Sequence, residues 1–182
     1  MHGLLRLCAF WDNSALDTAA ALTDNQGMDI KAKLAALGHQ LPPVGKAVAA
    51  YVPVVEISRH LFLSGQLPMK DGAMLATGPV GSPDGPTLEQ AQAAAAQCAI
   101  NGLAQIDAAL KGDWSRLRRI VRLGVFVAGG PAFTDHHLVA NGASELLSAV
   151  LGDQGQHARS AVGVPALPLG ASVEIDFVVA ID

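Results

Sequence analysis

Apolar residues along the chain recur with two different periods, and the longer period marks helices. Between residues 88 and 110 they fall three or four positions apart, which places them on one face of a helix. Thr87 and Gln90 stand at the start of this run with the spacing of a capping box. Gly112 follows the run, as glycines that end helices do. The pattern predicts one long, Ala-rich helix that can lie close to a sheet.

The helical period occurs in two further segments. Residues 135–151 carry it up to Gly152, which predicts a second long helix. Residues 29–37 carry a shorter version that stops at Gly38, which predicts a short helix.

Five other stretches are rich in Val, Ile and Leu and have the length of strands. The first two are close enough in sequence to form a hairpin. The five are residues 51–58, 60–64, 119–127, 159–164 and 173–181.

The last stretch alternates between apolar and acidic residues. Val173, Ile175 and Phe177 point to one side of a strand, and Glu174 and Asp176 point to the other. The apolar side belongs beneath the helices, so the carboxylates face water, a partner subunit or a site. The order of elements predicts an α+β fold, a two-layer domain with both long helices on one face of a mixed sheet.

Length and composition narrow the class of protein. The 182 residues fit one domain, which we place at residues 28–182, with residues 1–27 as an N-terminal extension or with translation starting at Met28. The net charge of −4 argues against a protein that coats nucleic acid. Charged residues make up only 15% of the chain, which is weak support for surface hidden in an oligomer.

Two further absences in the sequence set expectations about compartment. No run of about 18 apolar residues occurs, so we expect no membrane-spanning helix and take the cytoplasm as the default location. Cys8 and Cys98 are too few for a disulfide framework or a four-thiolate metal site. Cys98 lies in the long helical pattern and is expected to pack as a small hydrophobic residue.

Three short stretches combine strand or helix ends with small and polar residues. They are Ser64-Gly65-Gln66-Leu67-Pro68, Asn141-Gly142-Ala143-Ser144 and Arg159-Ser160-Ala161-Val162-Gly163. Together with Tyr51 upstream and VEID near the C-terminus, they resemble the RidA/YjgF family of reactive-intermediate (enamine/imine) deaminases. The resemblance runs from about residue 41 to 182. The segment PAFTDHHLVANGASELL resembles the branch labelled L-PSP endoribonuclease.

This resemblance implies a chorismate-mutase-like α+β fold, a homotrimer, and a site in each cleft between subunits. It implies the chemistry of a 2-iminobutanoate/2-iminopropanoate deaminase, which converts compounds such as 2-aminoacrylate to 2-oxo acids and ammonia. No metal and no organic cofactor is needed for that reaction. The expected partners are a small carboxylate-bearing substrate and two further copies of the chain, with neither nucleic acid nor membrane.

Two charged residues carry the expected chemistry. Arg159 offers two parallel donors to a substrate carboxylate, and its alternative role is a salt bridge with Glu174, Asp176 or another neighbour. Glu174 is the expected acid/base residue, which works best if partial burial raises its pKa. Its alternative is a solvated strand face or an ion pair. We expect Arg159 and Glu174 on one pair of C-terminal strands.

The remaining expected site residues line the cleft. The ring of Tyr51 is expected to form one wall of the cleft, and its hydroxyl is expected to take part in catalysis by reaching the substrate or a water. The alternative is that Tyr51 is a packed aromatic residue at the start of a strand. A turn at Ser64 and Gly65 is expected to bring backbone close to the ligand. Asn141 is expected to bind substrate or position a loop, with helix capping or plain surface exposure as alternatives.

The stretch that begins at Arg159 departs from the family pattern at two positions. Ser160 and Ala161 complete the expected binding set, with Ala161 standing where many members have Cys and contributing its backbone carbonyl. Gly163 stands where many members carry a larger polar residue, which puts the size of the pocket and the choice of substrate in question.

Two other groups of residues favour plain structural roles. The run Asp135-His136-His137 resembles a set of metal ligands. Adjacent helical residues point about 100° apart, so the two histidines do not easily share one ion and a surface or capping role is favoured. The basic cluster is the best argument for RNA, but no aromatic platform lies between its members. These are Arg116, Arg118, Arg119 and Arg122. The alternatives to a deaminase are a non-catalytic carboxylate-binding or regulatory trimer and an endoribonuclease.

Overall fold

A computed structural model describes residues 29–44 and 50–182. Three helices and seven strands lie in these two segments. The helices are α1 (Ile30–Ala36), α2 (Leu88–Ala109) and α3 (His136–Leu151). The strands are β1 (Val54–Ile57), β2 (His60–Gln66), β3 (Met69–Lys70), β4 (Ala73–Met74), β5 (Leu117–Ala128), β6 (Ala158–Val164) and β7 (Val173–Ile181).

Helix α2 begins with the predicted capping box. The Thr87 hydroxyl accepts a hydrogen bond from the Gln90 amide at 3.3 Å, and the Gln90 side chain accepts one from the Thr87 amide at 2.9 Å. Gly102 lets the helix approach the sheet, because a Cβ there would lie 2.6 Å from the ring of Phe177. Cys98 is fully buried on the same helix, as predicted.

Five strands form one mixed sheet in the order β1-β2-β7-β5-β6. All neighbouring pairs are antiparallel except β5 and β6, which are parallel. Leu63, Leu123 and Phe177 align across three of these strands and are buried beneath the helices. The predicted two-layer α+β fold is therefore confirmed.

The opposite face of the sheet carries no helix among the described residues, and we call it the open face. Glu174 and Asp176 are half-buried on it, in the predicted alternation with the buried residues of β7. Phe62 and Val162 also lie there and are 45% and 46% exposed. A single chain thus leaves large apolar side chains on this face in contact with water.

The small β3–β4 hairpin was not predicted, because two-residue strands carry no measurable period. Asn101 on α2 holds its base by donating to the carbonyls of Leu67 at 2.8 Å and Met69 at 3.0 Å. Gln97 in turn donates to the Asn101 side chain at 2.8 Å.

Some expectations fall outside the described residues. The N-terminal extension 1–27 and Cys8 are among them. None of the described helices has the length and apolarity that a membrane crossing requires. Location in the cytoplasm stays a prediction.

Candidate functional site

Arg159 projects from edge strand β6 and is held by helix α3. Its Nη1 donates to the Asn141 side-chain oxygen at 3.0 Å and to the Ser144 hydroxyl at 2.9 Å. Its Nη2 donates to the His137 carbonyl at 3.1 Å. Asn141 and Ser144 are three residues apart on α3, so both face the strand together.

The guanidinium of Arg159 keeps a free fork. Arginine has five N–H donors, and these three bonds use both on Nη1 and one on Nη2. The Nε–H and the second Nη2–H have no acceptor within the described segments. An Nε–H and an Nη2–H can point the same way along one edge of a guanidinium, where they match the two oxygens of a carboxylate. No described Asp or Glu forms an ion pair with Arg159, so its salt-bridge alternative is not supported.

Ser144 is part of a longer chain of hydrogen bonds. Its hydroxyl lies 3.0 Å from Nε2 of His157, and Nδ1 of His157 lies 2.6 Å from the Gly155 carbonyl. Burial lowers the pKa of His157, and the charge of Arg159 lowers it further against the opposing effect of the Gly155 bond. Sequence reasoning missed both residues as contributors, although Ser144 is in the quoted NGAS motif and His157 is two residues before Arg159.

Glu174 lies on the open face of β7 and covers Gly65. A Cβ at Gly65 would collide with the Glu174 carboxylate, so this glycine makes room for that side chain. Burial raises the pKa of Glu174, and the nearby charge of Asp176 raises it further. The carboxylate forms neither a hydrogen bond nor an ion pair with the described residues, which leaves its oxygens available to water or a ligand.

Ser64 and Gly65 do not form the predicted turn. They lie inside β2, where its register with β7 shifts between Leu63 and Gln66. The Ser64 hydroxyl donates to the Val52 carbonyl at 2.9 Å. The physical reason for the difference is a bulge, which uses the same small residues as a turn and keeps the chain in the sheet.

Tyr51 precedes β1 and is 53% exposed, so it is not the packed aromatic residue of the alternative interpretation. Tyr51 and Gly65 both line a groove of about 1080 Å³ that extends to α1 and α2. The structure thus brings Tyr51, Ser64, Gly65 and Glu174 to one region of the chain.

Arg159 and Glu174 do not lie on one strand pair, and that expectation was wrong. Strand β5 lies between β6 and β7 in the sheet. After β5 the chain passes through α3 and returns as β6, which lies parallel to β5 at the edge of the sheet. Arg159 aligns with Leu123 in the row that faces the helices, whereas Glu174 aligns with Phe126 on the open face. One chain therefore presents two candidate half-sites, one around Arg159 and one around Glu174, on opposite faces of its sheet.

The structure shows what surrounds Ala161 and Gly163, the two positions near Arg159 that depart from the family pattern. Ala161 is half-buried against the core, and Ser160 is exposed beside Gly124 of β5. His136 covers Gly163, since a Cβ at Gly163 would lie 2.5 Å from the His136 Nε2. The imidazole of His136 thus occupies the space of the missing side chain. The described residues contain no group of three potential His, Cys, Asp or Glu metal ligands.

Each member of the basic cluster has a partner within the chain. Arg116, Arg118 and Arg122 pair with carboxylates at 3.4, 2.7 and 3.7 Å, and Arg119 donates to a carbonyl at 3.2 Å. The partners are Glu56, Asp182, Asp176 and the Gln156 carbonyl. The cluster therefore presents no set of free guanidinium groups for phosphates.

Comparison with known proteins gives relatives for most of the chain. Residues 31–180 match the model of a family described as "YjgF/chorismate_mutase-like, putative endoribonuclease". Protein TCP17 of Trypanosoma cruzi is 44% identical over 151 residues, which are 82% of this chain and 92% of that protein.

Two solved structures share the fold. The protein Atu1372 of Agrobacterium tumefaciens, described as of unknown function, is 49% identical with a TM-score of 0.78, covering 84% of this chain and 92% of that one. RidA of an Antarctic Psychrobacter species is 28% identical with a TM-score of 0.51, covering 78% and 94%. The chain thus belongs to the YjgF/chorismate-mutase-like family, among whose solved members are RidA proteins.

Proposed function

We propose that this protein hydrolyses reactive enamine and imine intermediates, such as 2-aminoacrylate, to 2-oxo acids and ammonia. The observation that carries the proposal is the free fork of Arg159, a guanidinium with no ion pair and two unused N–H donors among the described residues. Such a fork matches the carboxylate that every 2-imino acid carries.

The reaction takes place in a cleft between two subunits of a homotrimer. Arg159 of one subunit holds the substrate carboxylate, and Glu174 of the neighbouring subunit faces the C=N carbon. Two observations support this arrangement: the two half-sites lie on opposite faces of one chain, and the open face exposes Phe62 and Val162. An oligomer interface would cover these apolar side chains.

Glu174 acts as the acid/base residue. An enamine such as 2-aminoacrylate first takes a proton on C3 to become the iminium. Water adds to the C=N carbon of the iminium, the π electrons of the C=N bond move to the nitrogen to give an amino group, and one water proton passes to the Glu174 carboxylate. Glu174 then donates this proton to the amino nitrogen, and the C–N bond breaks as ammonia leaves with its electron pair. The hydroxyl oxygen forms the C=O bond of the 2-oxo acid, and its proton passes to Glu174 and then to the ammonia, which leaves as ammonium. A raised pKa suits this role, because it makes the carboxylate a stronger base near neutral pH.

A trapped-imine competition assay tests the proposal. An amino-acid oxidase or a dehydratase supplies the imine or enamine, and semicarbazide competes with the protein for it. We expect Arg159→Ala to lower kcat/KM by about a hundred- to ten-thousand-fold, because two hydrogen bonds to a charged group are worth about 1.5–3 kcal/mol each. Arg119→Ala, a surface arginine on β5, is the matched control and should keep full activity.

Two other outcomes would favour the alternative functions. Thermal stabilisation by pyruvate without any suppression of the semicarbazide adduct would favour a carboxylate-binding or regulatory trimer. Metal-free RNA cleavage that Arg159→Ala abolishes would favour the endoribonuclease named in the family description. The acidic net charge and the paired basic cluster argue against this last function.

A further inference from the structure

We infer that Ser144 and His157 are positioning residues that fix the plane of the Arg159 guanidinium and so aim its free fork at the substrate carboxylate. The use of this fork rests on the proposed function. The hold itself rests on three contacts: Gly155 carbonyl to His157, His157 to Ser144, and Ser144 to Arg159.

The proton positions in this chain have one consistent assignment. The Gly155 carbonyl can only accept, so Nδ1 of His157 carries the proton and donates at 2.6 Å. In the neutral ring Nε2 is then a bare acceptor, which takes the Ser144 hydroxyl proton at 3.0 Å. The Ser144 oxygen is left with lone pairs, and one of them accepts from Nη1 of Arg159 at 2.9 Å.

His157 therefore decides which way the Ser144 hydroxyl points. Without an acceptor at Nε2, the hydroxyl proton can rotate away and its lone pairs no longer stay aligned with Arg159. Asn141 and the His137 carbonyl would remain as the other two acceptors. The guanidinium would then keep contact with α3 but lose one of the two bonds that fix Nη1.

All the groups that hold Arg159 are neutral, and this matters for function. A carboxylate in the same place would align the guanidinium equally well but would also neutralise its charge. Amide, hydroxyl and carbonyl oxygens restrain this long, flexible side chain and leave its charge available. The arrangement suits an arginine that must bind an anion from outside.

Four variants test the inference. Ser144→Ala removes the acceptor. His157→Leu removes the group that orients it, and His157→Gln restores an acceptor of similar reach. Ser148→Ala, one turn further along α3 and exposed, is the matched control. Isothermal titration with pyruvate gives the Kd of a simple 2-oxo acid, and the imine assay gives KM and kcat.

We expect Ser144→Ala and His157→Leu to raise Kd and KM about five- to twenty-fold with kcat within about twofold, as for an interaction that holds substrate and transition state alike. His157→Gln should stay within about threefold of the unaltered protein in Kd and KM, and Ser148→Ala should match it. Unchanged Kd in Ser144→Ala, or equal losses in His157→Leu and His157→Gln, would overturn the inference. A loss in kcat alone would also overturn it, because Ser144 would then act in the chemistry.

A readout without ligand separates this inference from the proposed function. Long-range ¹H–¹⁵N NMR spectra report the tautomer of His157 and the bonding of its Nε2. We expect an Nδ1–H ring whose Nε2 resonance shifts in Ser144→Ala and not in Ser148→Ala. If the protein shows this signature but does not suppress the semicarbazide adduct, the proposed function fails and the hold on Arg159 stands. An Nε2–H ring would refute the hold whatever the activity.

Discussion

At the scale of single residues, the candidate site consists of one arginine held by neutral groups and one carboxylate whose pKa is raised by burial. The sequence predicts both chemical types, but it does not predict their surroundings. Arg159 and Glu174 stood out as an anion-binding and an acid/base group. The neutral groups that position Arg159 could not be predicted in this way, because Ser144 and His157 act on it through a contact between a helix and a strand that no local spacing encodes. The contact of the Glu174 side chain with Gly65 also joins residues that are far apart in sequence.

The lowered pKa of His157 predicts how stability changes with pH. The folded chain resists protonation of this ring, chiefly through burial and also through the charge of Arg159. As pH falls below the ordinary value of 6.5, the unfolded chain gains a proton more readily than the folded chain, so stability decreases. Well above that value the ring is neutral in both states and the effect vanishes.

His157→Gln should remove this loss of stability, since glutamine does not titrate. We expect the difference in Tm between His157→Gln and the unaltered protein to move in favour of the variant as pH falls from about 8 to 5. Thermal unfolding at several pH values measures it, with His137→Gln as an exposed control on α3. A Tm difference that does not depend on pH would contradict the account.

At the scale of elements, local signals were sufficient for most of the fold. Capping, periodicity and terminal glycines predicted α2 and α3, and alternation predicted β7. The order of the strands was beyond these signals, because pairing joins segments far apart in sequence. This is why β6 and β7 were expected to be neighbours, whereas β5 separates them.

At Gly142, helices α2 and α3 pack so closely that we expect an added side chain to lower the stability of the protein. It lies on α3 where a Cβ would collide with the Gln92 carbonyl of α2, so the two helix backbones touch there. Gly142→Ala should destabilise the protein by about 1–3 kcal/mol, the usual cost of overpacking. At an open helical position the same change would stabilise by up to about 1 kcal/mol. Urea denaturation gives the sign, and a gain in stability would contradict this packing.

At the scale of the whole molecule, the placement of Arg159 and Glu174 on opposite faces of the sheet is the main feature that no local sequence pattern predicts. The low charge content was a weak indication of an oligomer, and the family resemblance implied a trimer. The structure adds a geometric reason, because Arg159 and Glu174 are directed to opposite faces of the same sheet. The proposed function therefore takes Arg159 from one chain and Glu174 from another.

Subunit mixing between two inactive variants tests this central claim most directly. Arg159→Ala and Glu174→Gln chains with different tags are co-expressed, and the mixed oligomers are purified and assayed with the trapped imine. Every mixed trimer has both native residues in one of its three clefts, so the purified mixed trimers should show about one third of the unaltered activity. Each variant alone should remain inactive. If mixed trimers form and stay inactive while the unaltered protein is active, Arg159 and Glu174 do not share a cleft between subunits.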